Sequence, residues 1–449
     1  MDLASARAYA DQAMPAVIDD LTTLVAHPSI AFPGYPREPM DAIVPELLDL
    51  FRRNGVEQVE TLDVPGGYPA IYALVPGPQG SPTVTLYAHY DVQPAPMSQG
   101  WTTDPWTATT KADGRLYGRG AADCKAGVVA IAATMGAFEG TPPCTVRLVI
   151  EGEEETSSHI EELVQARPEL FASDVFVICD GGNEKVGEPA IGTGLRGDVA
   201  LTVTLRSLDS ALHSGAFGGG APDALVAMIQ LLATLHDAEG NTVVEGLHSF
   251  EWEGGSVDED EFRSVAGVVG DAELVGSGPL ASRLWSRPSV TVLGMDVPTV
   301  AGSSNALVPT CSARLSLRIA PGSDMEHELE TLKEHLRTHT PYGLVPQFTD
   351  EKMGAPFLAD TSGPAVAAAA TAMGEAFGAA PAFLGSGGSI PLVSELIQAS
   401  PGAEAIVWGP EDSEKARIHG PDESVDPSEI RDIVVAQIRL LTLLGEGAR

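Results

Sequence analysis

The fold is decided by three stretches: TVTLYA (83–88), KAGVVAIAATMGAF (125–138) and TVRLVI (145–150). The first and third are short and largely apolar, which is typical of strands in a sheet that is covered on both faces. The second is longer and rich in alanine, and it predicts a helix that faces the core. A strand, a helix and a strand in this order indicate a β-α-β unit.

The same alternation extends on both sides of these stretches. The other predicted helices lie at about 1–25, 38–54 and 427–445, and the other predicted strands lie at 69–75, 174–180 and 405–408. We therefore predict an α/β fold in which a mostly parallel central sheet lies between two layers of helices. This domain is discontinuous and comprises residues 1–196 and 353–449.

The pattern changes between these two parts. VALTVTL (199–205) and SARLSLRI (312–319) alternate apolar with small or polar residues, as do strands that have only one buried face. We therefore predict a smaller α+β domain, ferredoxin-like, inserted at 197–352. The stretch 237–288 is rich in Gly, Glu and Ser and is predicted to form an extended insertion of loops and helix.

The charge balance limits the partners of the chain. Its 449 residues include 26 lysines and arginines against 62 aspartates and glutamates, which gives a formal net charge of −36. So few basic side chains leave little to neutralise phosphates, which argues against nucleic acids and anionic membranes as partners. Hydrophobic residues make up 44% of the chain, enough to form a well-buried core.

The cysteines and the first residues predict the compartment. Four cysteines, at positions 124, 144, 179 and 311, show no CxxC pairing, which is typical of reduced thiols in a cytoplasmic protein. The first 25 residues are acidic and amphipathic and lack the basic and apolar segments of a signal peptide. No stretch reaches the roughly 18 apolar residues that a membrane span needs. We therefore expect a cytoplasmic protein.

Side chains that bind metals follow several predicted strands. His89 comes directly after the first strand quoted above, EGEEE (151–155) follows the other, and Asp180 ends a further strand. Asp123 lies in the loop before the core helix, and His419 follows the strand AIVW by about ten residues. Because sites in open α/β sheets form beyond the carboxyl ends of strands, these side chains are expected to converge. Histidines and carboxylates together suit a borderline metal such as Zn²⁺.

Each of these features alone has an ordinary structural explanation. A single histidine after a strand is usually structural, a run of glutamates is usually a solvated surface, and Asp-Gly-Gly is usually a turn. Their occurrence together, each at the end of a strand, favours a metal site over coincidence.

An ordered set of motifs resembles a known family over essentially the whole chain. In order these motifs are HYD, GRGAADCKAG, EGEEET, CDGG, GLRG, LHSG, GGSIP and IHGPDE. They resemble the co-catalytic dizinc metallopeptidases, a family that includes carnosinase-type dipeptidases, aminoacylases, glutamate carboxypeptidases and succinyl-diaminopimelate desuccinylase. The dipeptidase branch is the most similar.

The resemblance implies a site with two divalent metal ions, zinc by preference and manganese or cobalt as alternatives. His89 and Asp180 would hold one ion, Glu155 and His419 the other, and Asp123 would bridge both, since one carboxylate has two oxygens. It also implies a cis peptide between Asp123 and Cys124.

Further roles follow from the same resemblance. Asp91 would orient the imidazole of His89, and Glu154 would be the general base. Three glutamates in a row leave an alternative register, in which Glu153 is the base and Glu154 the ligand.

The inserted domain would supply groups that bind the substrate. His213 would donate a hydrogen bond to the developing oxyanion, often from the neighbouring subunit of a homodimer, or it is simply a surface histidine in a turn. Arg318 and Asn305 would bind the carboxylate or carbonyl of the substrate, with a structural salt bridge as the alternative for Arg318. Gly388 and Ser389 would cradle the same carboxylate.

The predicted function is metal-dependent hydrolysis of the amide bond of dipeptides or small peptides. Two alternatives remain open: deacylation of N-acyl amino acids by an enzyme of the same family, and a non-catalytic metal-binding protein. Asp180 and the long insertion at 237–288 favour the dipeptidase, and an intact Glu154 argues against a protein without activity. The identity of the substrate and of the metal is left open.

Overall fold

The computed structural model describes residues 1–156, 158–388 and 390–447. It divides into two compact units. The large unit comprises Met1–Thr193, Ala359–Leu384 and Leu392–Arg449, and the inserted unit comprises Gly194–Leu358 and Gly385–Pro391.

Helices and strands alternate along most of the chain. The helices are α1 (Leu3–Val25), α2 (Glu38–Arg53), α3 (Lys125–Gly136), α4 (Ile160–Ala166), α5 (Ser214–Phe217), α6 (Ala224–Ala233), α7 (Glu259–Val265), α8 (Leu280–Trp285), α9 (Met325–His339), α10 (Pro364–Phe377), α11 (Pro391–Ala399) and α12 (Pro427–Gly447). The strands are β1 (Glu60–Leu62), β2 (Ala70–Val75), β3 (Thr83–His89), β4 (Thr109–Thr110), β5 (Leu116–Tyr117), β6 (Thr145–Glu151), β7 (Val175–Ile178), β8 (Gly182–Asn183), β9 (Ala190–Leu195), β10 (Gly197–Arg206), β11 (Leu212–His213), β12 (Ser289–Asp296), β13 (Ala306–Leu307), β14 (Thr310–Ile319), β15 (Gln347–Gly354), β16 (Phe357–Leu358), β17 (Ala382–Ser386), β18 (Glu404–Val407), β19 (Glu411–Asp412) and β20 (Ser424–Val425).

The central sheet of the large unit has a parallel middle. Its strands follow the order β1-β2-β6-β3-β7-β18-β9. Strands β6, β3, β7 and β18 run parallel to one another, whereas β2 pairs antiparallel with β6, and β9 pairs antiparallel with β18. The predicted α/β class is confirmed, with antiparallel strands added at the margins.

The register of the two quoted strands brings their ends together. Thr83 pairs with Thr145 and His89 with Glu151, so β3 and β6 end side by side. Between them in sequence, α3 is buried from Lys125 to Met135. The small side chains of its alanines and Gly127 let neighbouring elements approach closely, which explains why an alanine-rich helix can occupy the core.

The inserted unit contains a separate antiparallel sheet with the order β12-β14-β10-β15. Val199, Leu201 and Val203 of β10 are fully buried, and they pack with the apolar residues of α6 and α9. Thr202 and Thr204 alternate with them and are partly exposed. These strands therefore have the single buried face that their sequence predicts. Across the part of the chain that the structure describes, no helix has both the length and the apolar character to cross a membrane.

Candidate metal centre

Five side chains of the large unit converge at one edge of its sheet. His89 is the last residue of β3, and Asp180 follows β7, which pairs with β3. Glu155 follows β6, Asp123 precedes α3, and His419 lies in the loop between β19 and β20, where its φ is 61°. All five were predicted from the sequence to act as ligands, and the structure brings all five together.

The carboxylate of Asp123 lies between the two histidines. Its Oδ1 is 3.1 Å from Nε2 of His89, and its Oδ2 is 3.0 Å from Nε2 of His419. Asp180 approaches the same nitrogen of His89 at 3.5 Å, and Glu155 approaches that of His419 at 3.1 Å. The two oxygens of one carboxylate thus face two separate sets of ligands. The predicted cis peptide between Asp123 and Cys124 is confirmed.

Two observations show that the donors fit metal ions. His89 is fully buried, and its Nε2 faces the carboxylates of Asp123 and Asp180 at 3.1 and 3.5 Å without a hydrogen bond of normal geometry among the described residues. A buried nitrogen that faces two carboxylates without a well-formed hydrogen bond is poorly compensated for its lost hydration, and a cation bound between these groups would satisfy all three. The donors are imidazole nitrogens and carboxylate oxygens, the set that Zn²⁺ takes in catalytic sites.

Asp91 contacts both His89 and the glutamate loop. Nδ1 of His89 lies 3.1 Å from the backbone oxygen of Asp91 and 3.3 Å from its carboxylate. The same carboxylate accepts hydrogen bonds from the backbone N–H groups of Glu154 and Glu155, each at 3.1 Å. Asp91 can therefore leave Nε2 of His89 free for a metal while it fixes the loop that bears the glutamates.

The run of glutamates divides into two environments. The carboxylate of Glu153 accepts one hydrogen bond, from the backbone N–H of Tyr68, and lies 3.0 Å from Nδ1 of His159. Glu154 is half-buried beside the ligands, and burial together with the charge of Asp180 raises its pKa well above the ordinary value. This arrangement supports the register in which Glu154 is the base and Glu155 the ligand.

The site residues perturb one another's pKa values. Hydrogen bonds to Asp123 and Glu155 raise the pKa of His419 to about 11. Burial opposes ionisation of Asp123, but its close contacts with the imidazoles of His419 and His89 outweigh burial and lower its pKa. Burial and the charge of Asp123 raise the pKa of Glu155. The geometry therefore favours positive charge between these carboxylates.

Two buried glutamates of the site were missed in the sequence. Glu411, on β19, has an oxygen within 4.8 Å of oxygens of Asp123 and Asp180, and burial followed by the charges of those two residues raises its pKa well above the ordinary value. Glu423 is fully buried and accepts the backbone N–H groups of Gly120, Ala122 and Asp123. Glu411 follows β18 closely, a position at which the sequence could have indicated it.

The predicted substrate-binding residues belong to the inserted unit. His213 ends β11, is exposed, and accepts the backbone N–H of Gly215 at 3.1 Å. The guanidinium of Arg318 lies 3.8 Å from Asp198, a weak version of the alternative salt bridge. Asn305 is exposed, and its backbone oxygen accepts the N–H of Ser214.

The glycine loop is described only in part. Gly388 is exposed, and its N–H donates to Oγ of Ser386 at 3.1 Å. Ser389 lies outside the described residues.

The α/β fold and the paired sets of histidine and carboxylate ligands define a metal-dependent hydrolase. A family model described as "Peptidase family M20/M25/M40" matches residues 85–443. A cysteinylglycine-S-conjugate dipeptidase of Corynebacterium striatum is 37% identical over 374 residues, 82% of each chain. The human Beta-Ala-His dipeptidase is 29% identical over 358 residues, 74% of this chain and 69% of the relative.

The solved structures agree with this fold. Human carnosine dipeptidase 1 superposes with a TM-score of 0.80 at 24% identity, over 99% of both chains. A metallo-carboxypeptidase of Sulfolobus solfataricus superposes with a TM-score of 0.80 at 22% identity, over 96% of this chain and 99% of the other. The chain belongs to peptidase family M20/M25/M40 and is a metallopeptidase. The predicted resemblance and the predicted enzyme class are confirmed.

Proposed function

We propose that this metallopeptidase is a dipeptidase that uses two zinc ions. The observation that carries the proposal is the position of Asp123, whose Oδ1 faces His89 and whose Oδ2 faces His419. Asp180 completes the first set of ligands and Glu155 the second. A carboxylate shared between two such sets is the arrangement of a two-metal hydrolase.

Zinc ions held by these residues would polarise the scissile carbonyl and lower the pKa of water. Glu154 carries the proton steps. It takes a proton from the attacking water as the C–O bond forms, and it delivers that proton to the amide nitrogen as the C–N bond breaks. The products are a carboxylic acid and a free amine. Burial suits Glu154 to both steps because it raises the pKa towards the range in which one group can accept and then donate.

Small peptides are proposed as substrates because of the relatives. The Corynebacterium striatum relative is named as acting on cysteinylglycine S-conjugates, and the human one on Beta-Ala-His. In the inserted unit, Arg318 and Asn305 would bind the carboxylate or carbonyl of the dipeptide, with Gly388 and Ser389 as further contacts. His213 would donate to the oxyanion, for which its exposed ring on a strand end is suitable.

We also propose a homodimer through the inserted unit. Strand β12 lies at an edge of its sheet and exposes Val292 and Leu293, the latter by 61%. An exposed apolar edge strand is a surface that a second chain can cover. The cysteines are free and buried, which supports a reducing, cytoplasmic location.

A substrate panel on metal-reconstituted protein tests the function. The protein is stripped with a chelator, reloaded separately with Zn²⁺, Mn²⁺ or Co²⁺, and assayed with dipeptides and with N-acyl amino acids, with Glu154→Gln as the control. We expect dipeptides to be cleaved and N-acyl amino acids to be poor substrates. Preference for N-acyl amino acids would contradict the proposal in favour of a deacylase, and no turnover with any metal would favour a binding protein.

A further inference from the structure

The inserted unit contains a cavity of about 980 Å³. It is lined mostly by residues between 236 and 291, which include α7, α8 and the start of β12. Its volume is that of a site for a small organic molecule. Although the chain has a net charge of −36, three arginines line the cavity: Arg196, Arg283 and Arg287.

Only one of these arginines lacks a carboxylate partner among the described residues. Arg283 pairs with Glu259, and Arg287 pairs with Glu251. Arg196 is 8% exposed, and its Nη1 donates to Oγ of Ser289 at 3.1 Å. Among the described residues, its Nε has no hydrogen-bond partner.

No carboxylate in the described part of the chain therefore compensates the charge of Arg196. Burial and the charge of Arg318 lower its pKa to about 10, which leaves it protonated at neutral pH. A buried charge without a counter-ion destabilises a fold unless something else neutralises it. The position of Arg196 at the wall of a cavity leaves room for a counter-ion that enters from solvent.

The cavity also offers apolar surface that the fold does not bury. Helix α7 contributes no buried residue, and Phe262, Val268 and Leu274 of this segment line the cavity while only half-buried. Val275 also lines it and is 73% exposed. An apolar ligand would remove this surface from water, with a gain of the kind that drives core formation.

We infer that this cavity binds a small organic carboxylate with an apolar body. The carboxylate would pair with Arg196, whose planar guanidinium can donate two parallel hydrogen bonds. The apolar body would pack on the side chains of the segment that bears α7.

Arg196 also borders the glycine loop of the same unit. Its backbone N–H donates to the oxygen of Ser386 at 3.2 Å, and a Cβ added at Gly387 would stand 2.9 Å from its Nη2. Two ligands share the inferred chemistry: the carboxyl-terminal residue of a substrate or product, and a separate regulatory acid. The first source rests on the proposed function, whereas the second does not.

Calorimetry with octanoate tests the site on the metal-loaded protein. We expect octanoate to bind, acetate and octylamine to bind weakly or not at all, and Arg196→Met to weaken octanoate binding by about tenfold or more, as the loss of a charge-assisted pair implies. Arg337→Gln, an exposed arginine of α9, is the matched control and should bind as the wild type does. Because acetate reports carboxylate binding at the metals, the comparison isolates the cavity, and no dipeptidase activity is needed.

Thermal unfolding separates a ligand site from a structural role. If Arg196 has no counter-ion until a ligand binds, Arg196→Met should unfold no earlier than the wild type. Of these two proteins, only the wild type should show a higher melting temperature with octanoate. Leu274→Trp, which fills the cavity from its half-buried wall and keeps the charge, should also abolish binding. Equal octanoate binding by the wild type and Arg196→Met, or early unfolding of Arg196→Met together with normal binding by Leu274→Trp, would overturn the inference.

Kinetics then identifies the source of the carboxylate. If octanoate raises only the KM for a dipeptide, the cavity receives the carboxyl end of the substrate. If octanoate changes kcat, the cavity binds a separate regulator. Both results retain the site.

Discussion

The carboxylate of Glu423 accepts the backbone N–H of Asp123 at 3.1 Å, so one buried side chain fixes the residue that faces both histidines. It also accepts from Gly120 and Ala122 and pairs with the buried Arg119. Glu423 lies four residues after His419, and its contacts therefore tie the loop of one ligand to the loop of another.

Replacing Glu423 by glutamine is expected to weaken metal binding as well as the fold. The change leaves the guanidinium of Arg119 buried without a counter-charge, which should lower the free energy of unfolding by about 3 kcal/mol or more. Metal affinity should fall about 10- to 100-fold, as it does when groups that orient ligands are removed. Denaturant unfolding and metal titration measure the two effects.

Glu404→Gln provides the control for this variant. Glu404 begins β18, at the opposite end of that strand from the site, and accepts the N–H groups of Ala365 and Val366 at 3.0 Å. It should lose stability and keep its metal affinity. Equal metal affinity in the Glu423 variant and the wild type would show that Glu423 does not position Asp123.

Substitution of Glu154 should remove turnover, whereas substitution of the adjacent Glu155 should remove metal binding. Glu154→Gln should retain both metals and lose at least about 10²-fold in turnover, the lower range for loss of a general base. Glu155→Gln should lose metal, because its Oε2 is the partner of His419. Elemental analysis and kinetics on both variants decide the register, and loss of metal from Glu154→Gln in place of Glu155→Gln would show that Glu154 is the ligand and that the register is off by one.

The local pattern of apolar residues along the sequence made most of the fold predictable. The strands β3 and β6 and the helix α3 are apolar beyond what an exposed element tolerates, and their order along the chain implies the parallel middle of the sheet. The convergence of the candidate ligands was predictable because they follow strands whose ends meet at one edge. His89 and Asp180 needed only this rule, whereas the division of roles between Glu154 and Glu155 needed the family resemblance.

The buried charged residues could not be predicted from the sequence. Glu411, Glu423 and Lys125 are types of residue that usually lie in solvent, and only their tertiary partners account for their burial. The partner of Glu423 is a loop 300 residues earlier, and Lys125 donates to backbone oxygens of Leu24 and His27. Contacts between residues so far apart along the chain leave no periodic pattern in the sequence.

Zinc binding is expected to release protons and to strengthen as pH rises. Without a metal, the pKa of His419 is raised to about 11, so its imidazole is protonated at neutral pH and must lose that proton to bind a cation. Calorimetric titration in buffers of different ionisation enthalpy measures the release. Zinc binding that releases no proton would contradict the role of His419 as a ligand.

The raised pKa of His419 also predicts how the stability of the metal-free protein changes with pH. A group whose pKa is raised on folding stabilises the metal-free protein fully below its ordinary pKa of about 6.5, and that stabilisation is lost as pH rises through about 11. The contribution of His419 to the stability of metal-free protein should therefore decline over this range. Replacing His419 by glutamine should remove that part of the pH dependence, as thermal unfolding at several pH values would show.

Mixing two inactive variants tests whether His213 serves a neighbouring subunit. His213 belongs to the inserted unit, whereas Glu154 and the ligands belong to the large unit. If a homodimer shares its sites, a hybrid of His213→Ala and Glu154→Gln chains has one site with an intact Glu154 and the partner's intact histidine. Activity should then return to at most half of the wild-type level per hybrid, under conditions in which subunit exchange is shown independently.

Mixing Glu154→Gln with Glu155→Gln is the matched control, because each chain carries a lesion in its own site and exchange repairs neither. Exchange without recovery in the first mixture would place His213 in its own subunit or outside the reaction, and an active monomer would exclude a shared site.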